Sequence, residues 1–121
     1  MLRDILTIAV IMILLDSIYL STIGSKLFVP KISMIQNSPL KIDKLSAATC
    51  YIIMVLGLYY FIIKENKGAR DAFILGILIY GVFETVNKAI FTNWGWDLVL
   101  VDTLWGGLLF YLTIRIYQKI R

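Results

Sequence analysis

The stretch ILTIAVIMILLDSIYLSTI at residues 5–23 decides how this chain folds. It is apolar throughout its first half and interrupted in its second by Asp16, Ser17, Ser21 and Thr22. At a rise of about 1.5 Å per residue such a run crosses a hydrocarbon core of about 30 Å. Lipid offers no water to unpaired backbone groups, so a run of this length is predicted to be a helix. Working outward, comparable runs occupy residues 45–63, 71–91 and 98–117. The expected fold is therefore all-α: a polytopic membrane protein with four transmembrane helices in an up-down bundle, residues 1–121 forming a single domain.

Composition agrees. Of 121 residues 60% are apolar and 17% charged, with a mean hydropathy of +0.82, whereas soluble domains run nearer half apolar and a quarter charged. Four crossings use the whole length and leave no room for a separate catalytic domain. The net charge of +4 does not indicate nucleic acid, because the basic residues lie in loops and ends between the apolar runs. With no histidine and Cys50 as the only cysteine, Ser-His catalysis, an internal disulfide and a zinc cluster are excluded, and no cofactor or metal is expected. Asp16 also interrupts what would otherwise read as a signal peptide, and no small-x-small cleavage site follows.

The connections carry their own signals. Residues 24–44 contain Pro30, Pro39 and the lysines Lys26, Lys31, Lys41 and Lys44. This segment is expected to be a loop rather than a crossing, its amphipathic part at 28–35 able to lie along the membrane surface. KENKGAR at 64–70 makes a tight hairpin of the second and third spans. TNWGWD at 92–97 places Trp94 and Trp96 where an interfacial aromatic belt belongs. Arg3, Lys64, Lys67, Arg70, Arg115, Lys119 and Arg121 fall on the side holding both termini, against the four lysines of 24–44 on the other. This bias puts both termini in the cytoplasm.

Three acids stand inside the spans: Asp16, Glu84 and Asp102. Each costs roughly 2.5 to 3.5 kcal/mol at mid-helix on insertion scales, so each is expected to face a packed interior or a wet cavity. Counting residues from the nearer loop puts all three at similar depth, in the half of the bilayer away from the termini. Helical spacing adds more polar groups, since residues three and four apart share a face. Tyr80, Glu84, Asn87 and Lys88 form a stripe on the third span, Asp16 aligns with Tyr19 on the first, Thr49 sits near the same end of the second, and Asp102 aligns with Trp105 on the fourth. Turned inward, these nine residues make one candidate polar site. Lys88 neutralises one acid at most. The others must hold or share a proton, bind a cation, or sit in water.

These residues also carry a resemblance. Leu15-Asp16-Ser17-Ile18-Tyr19-Leu20, Glu84-Thr85-Val86-Asn87 and Val101-Asp102-Thr103-Leu104-Trp105-Gly106 resemble, in order and spacing, the polar signatures of the small four-span membrane proteins grouped as domain of unknown function 2177. The Asp-x-x-Trp-Gly element is the most specific part. That family more often has Asp where Glu84 stands and an apolar residue at the position of Lys88. The resemblance implies the four-span topology and inward-facing acids, and carries no activity.

The leading functional expectation is a cation- or proton-linked transport or channel component, with Asp16, Glu84 and Asp102 as the site. Its partners would be the lipid bilayer and a cation, a proton or a small apolar ligand. Four helices enclose little, so a homo-oligomer is expected, touching through the glycine-bearing faces of the third and fourth spans. The alternatives are an intramembrane enzyme acting on a lipid or isoprenoid, with the acids dividing proton-donor and anionic roles, and a non-catalytic membrane assembly partner. A cavity connected to water favours transport, one open sideways to lipid favours an enzyme, and none favours a purely structural latch.

Overall fold

The computed structural model describes all residues, 1–121. Four helices long and apolar enough to cross a membrane make up the fold: Leu2–Gln36, Lys44–Ile63, Ala69–Ile90 and Trp96–Ile120. The first is divided by a single π-helical turn at Leu20–Gly24 into α1 (Leu2–Tyr19) and α2 (Ser25–Gln36). α3 (Lys44–Leu58) ends in a second π turn at Tyr59–Ile63, and α4 (Ala69–Ile90) and α5 (Trp96–Ile120) complete the bundle. The outward faces are apolar, as a lipid-facing surface must be: Leu6, Val10, Leu14 and Ile18 on α1 and Leu100 and Leu104 on α5 are all exposed.

The segment after residue 24 corrects the sequence expectation, because it is helical to Gln36 rather than a loop. Pro30 lies inside α2. At the π turn before it, hydroxyls of Thr22 and Ser25 bond back to the carbonyls of Ile18, Tyr19, Ser21 and Thr22, occupying acceptors that an irregular turn exposes. A helix of 35 residues is about 50 Å long, well beyond the hydrocarbon thickness, so α2 continues past the lipid core. It ends at Asn37, whose left-handed backbone (φ 56°) closes the last turn, with Pro39 shortly after.

α2 stays on the bundle. Leu27, Phe28, Ile32 and Ile35 pack on Trp94, Leu98 and Val99, so α2 covers the end of the molecule that carries the 91–95 turn, called here the distal end. The opposite, terminal end holds both chain termini, where the Tyr117 hydroxyl donates to the Asp4 carboxylate at 2.7 Å. The interior between them is asymmetric. Its terminal half is a continuous apolar core including Ile8, Met12, Leu58, Leu109, Phe110 and Ile114, and its distal half holds the buried acids.

The α4/α5 contact sets the register of everything else. Gly76 lies against the Gly106 backbone, Gly106 lies under the Tyr80 ring, and Gly107 lies under Ile77 and Phe73. A methyl group on Gly76 would overlap the Gly106 carbonyl. The glycine faces expected to join two copies are thus consumed inside one chain, because close backbone approach is the main source of helix affinity in lipid. With Tyr80 seated on Gly106 in an antiparallel pair, one turn further places Glu84 beside Asp102.

Two predictions follow from these contacts. Gly76→Ala, which has backbone in its way, should lose about 1–3 kcal/mol of stability to overpacking in unfolding from detergent micelles. Gly81→Ala, whose new carbon would sit 3.6 Å from the Thr103 methyl, should stay within about 0.5 kcal/mol; equal losses would contradict the register. At the start of α3 the Asp43 carboxylate accepts from the Ser46 hydroxyl at 2.6 Å and the Leu45 amide at 3.2 Å, which holds its pKa below the usual aspartate value, the Ser46 bond contributing most. This cap stabilises α3 above about pH 3.9 and is lost as pH falls through the lowered value. A carboxyl NMR titration of Asp43 should therefore lie acid of an unperturbed aspartate, and a midpoint at the ordinary value would refute the cap.

Candidate functional site

The distal half contains one chain of hydrogen bonds and ring contacts that touches every membrane-crossing helix. On α1, Asp16 accepts from the Trp105 indole of α5 at 2.9 Å and from the Tyr51 hydroxyl of α3. The Trp105 ring stacks on Tyr19, with centroids 4.6 Å apart and planes 5° from parallel. The Tyr19 hydroxyl donates to Asp102 at 3.0 Å. Glu84 faces Asp102 across the α4/α5 register set by Tyr80 on Gly106, and its hydrogen-bond partner is the Trp94 indole at 2.7 Å. Glu84 is only 1% exposed.

Helix spacing explains each placement. Asp16 and Tyr19 are one turn apart on α1, as Asp102 and Trp105 are on α5, so two antiparallel helices meet in a double contact: Asp16 with Trp105, Tyr19 with Asp102. The donors reaching the acids are all uncharged phenols and indoles. Each removes the cost of a bare carboxyl oxygen in a low-dielectric setting. None neutralises its charge. Two carboxyl groups in contact need a proton between them, since like charges this close cannot both persist. The three acids do not converge as ligands around one metal position.

Beside this chain lies a cavity of about 530 Å³, lined by Asp16, Tyr19 and Asp102 together with Ser46, Thr49, Cys50, Ile53 and Met54 of α3 and Ile79, Tyr80 and Phe83 of α4. Its polar wall is the side of the acids, and the rest is largely apolar. α3 and α4 barely touch each other. Ile53 is 65% and Phe83 57% exposed, so the cavity opens between these helices toward lipid. The apolar core closes it on the terminal side, and Trp94 with α2 covers Glu84 from the distal end.

Of the nine residues read from the sequence, Asp16, Tyr19, Glu84, Asp102 and Trp105 come together in the chain of contacts. Thr49 and Tyr80 line the cavity without joining it, the Thr49 hydroxyl being used on its own helix by the Leu45 carbonyl. Asn87 is half-buried one turn beyond Glu84. Lys88 differs from expectation: its ammonium sits 5.6 Å over the Trp96 ring rather than against an acid, because α4 is ending there and the long side chain follows it to the interface. Two participants escaped the sequence reading. Tyr51 was hidden in an apolar run, although a phenol at hydrocarbon depth must find an acceptor. Trp94 was assigned to an interfacial belt, yet it is 5% exposed and folds inward onto Glu84; only Trp96, 62% exposed, has a belt position.

A family model for predicted membrane proteins, DUF2177, matches residues 1–115. The chain belongs to this family. The match takes in the first three membrane-crossing helices, most of the fourth and every residue of the hydrogen-bonded chain. No curated protein and no solved structure matches, so the DUF2177 assignment supplies a membrane location and no activity.

Trp94→Phe should strand the buried Glu84 oxygen and lower stability by about 1–3 kcal/mol. Trp96→Phe should change little, and Glu84→Gln, which keeps an acceptor for the indole, should fall between them. Thermal unfolding of the three variants in micelles checks the order; Trp94→Phe as stable as Trp96→Phe would show that the indole bond is not made.

Proposed function

We propose that this DUF2177 protein carries a membrane-embedded cation or proton site, as a component of cation- or proton-linked transport. The observation that carries the reading is three carboxyl groups in one cluster, partnered only by uncharged donors, with two of them on the wall of a cavity. A latch between helices needs acceptors for its donors, and neutral amides or hydroxyls would serve at about 1 kcal/mol per contact. Carboxyl groups add something a latch does not use: the ability to take up and release a proton and to balance a positive charge. Asp16, Glu84 and Asp102 form the charge-bearing part, Tyr19, Tyr51, Trp94 and Trp105 hold them in place, and Thr49 and Tyr80 face the bound species.

The apolar core of the terminal half makes an open pore an unsuitable reading, so passage would require the helices to rearrange around the site. On the basic-residue bias the termini are cytoplasmic and the site lies in the outer half of the membrane. The four helices act as one unit, and a second copy, if it assembles, would use faces other than the glycine contacts already filled. The sideways opening gives specific support to a second reading, an enzyme acting on a lipid or isoprenoid, in which Glu84 and Asp102 would exchange a proton with the substrate.

The test is a thermal-shift screen of the purified protein against inorganic and organic cations across pH, with Glu84→Gln and Asp102→Asn beside it. Binding to the folded state should stabilise the wild type by about 2.7 kcal/mol at a hundredfold excess over the dissociation constant, and both variants should lose the response. A flat response to every cation and to pH, with the variants merely less stable, would overturn the site and leave a structural cluster.

A further inference from the structure

We infer that the species bound in this site is a long-chain amine, a cationic amphiphile that enters from the lipid between α3 and α4. This rests on the cation reading above and names the ligand class and its route.

Size is the first consideration. A cavity of about 530 Å³ lies in the range of organic ligands, about 300 to 1,000 Å³, and a bare inorganic ion would leave most of it unfilled. The lining is the second. Asp16 and Asp102 stand on one side, buried beneath the donors Tyr19, Tyr51 and Trp105, while Ile53, Met54, Ile79 and Phe83 make the remainder apolar. That division matches a molecule with one charged end and a hydrocarbon remainder. A hydrophilic cation would gain nothing from the apolar wall and would lose its hydration against it.

Charge is the third. Uncharged donors already reach the acids, and Lys88, the cationic side chain nearest along α4, is held over Trp96. An amine arriving uncharged through the lipid would take up the proton between Glu84 and Asp102, and the ammonium so formed would complete the cluster against the carboxylate left behind. An ammonium head donates to carboxylate oxygens at short, charge-assisted distances.

Access is the fourth. Trp94 and α2 cover Glu84 at the distal end, and the terminal half is filled by side chains. The opening between α3 and α4 is flanked by Ile53 and Phe83, which face lipid. A molecule already dissolved in the bilayer meets this opening without passing through water. Its head would sit against Asp16 and Asp102 and its tail would leave through the gap.

The experiment uses the full chain in lipid nanodiscs with a long-chain primary amine that carries a diazirine on its tail. After illumination, mass spectrometry maps the labelled residues. Label should concentrate at Ile53, Ile79 and Phe83, enriched roughly tenfold over the outward face of α5 at Leu100 and Leu104, as about 1.4 kcal/mol of preference gives. Dodecyltrimethylammonium should compete it away, and tetramethylammonium at equal concentration should not. Asp16→Asn and Asp102→Asn, tested separately so that one folding defect is not decisive, should each return the label to the even distribution of bulk lipid.

Even labelling in the wild type, or labelling unchanged in both variants, would overturn the inference. Equal competition by dodecanol would overturn the requirement for a charged head. If tetramethylammonium stabilises the protein while the tail labels evenly, the cation site stands and the lipid route falls. If no cation stabilises it and the label is even, both fall together.

Discussion

A carboxyl group in hydrocarbon has to be given hydrogen-bond donors or a counter-charge, and the distal half of this protein is organised by that requirement. Glu84 and Asp102 are brought side by side by the glycine packing of α4 on α5, and the other buried acid, Asp16, joins them through Tyr19 and Trp105. Tyr19 reaches Asp102 from α1, Trp94 folds back from the 91–95 turn onto Glu84, and Trp105 and Tyr51 close on Asp16. The chain runs through all four membrane-crossing helices. Removing one donor leaves an acceptor stranded where water cannot replace it, so these contacts depend on one another more than surface hydrogen bonds do.

The two halves of the bundle do different work. In the terminal half, Ile8, Leu58, Leu109, Phe110 and Ile114 form an apolar core, which holds the helices together and bars a continuous aqueous path. In the distal half the helices diverge, α3 from α4, and the space between them is the cavity. The π turn at Leu20–Gly24 stands directly after Tyr19, and the helix that continues beyond it packs on Trp94, Leu98 and Val99. Single π turns of this kind recur at functional positions. Here it lets one helix both supply the Tyr19 hydroxyl to the site and cover it.

The membrane architecture was legible in the sequence because bilayer thickness and backbone satisfaction leave few choices for long apolar runs. The acids were legible for the same reason, as were Tyr19 and Trp105, each one turn from an acid on its own helix. What periodicity along one helix cannot report is which neighbour a side chain meets. Tyr51 gave no signal beyond being a phenol in an apolar run. Trp94 looked like an interfacial residue because the path of the 91–95 turn across the bundle is a tertiary property. Lys88 shared the helical face of Glu84 and still diverged, since a long flexible side chain at a helix end can reach the interface. Residues 24–36 read as a loop from Pro30 and the lysines, whereas the apolar stripe Leu27, Phe28, Ile32 and Ile35 packed on Trp94 supports them as a helix.

The central claim is that Glu84 and Asp102 share a proton within hydrocarbon and give it up to an arriving amine, whose ammonium form is the positive charge they then balance. Infrared difference spectroscopy of the protein in lipid at neutral pH measures this directly. A protonated carboxyl carbonyl band should be present in the wild type, absent from Asp102→Asn, and reduced when a cationic amphiphile is added. A spectrum containing only carboxylate bands, or a protonated band that Asp102→Asn leaves unchanged, would contradict it.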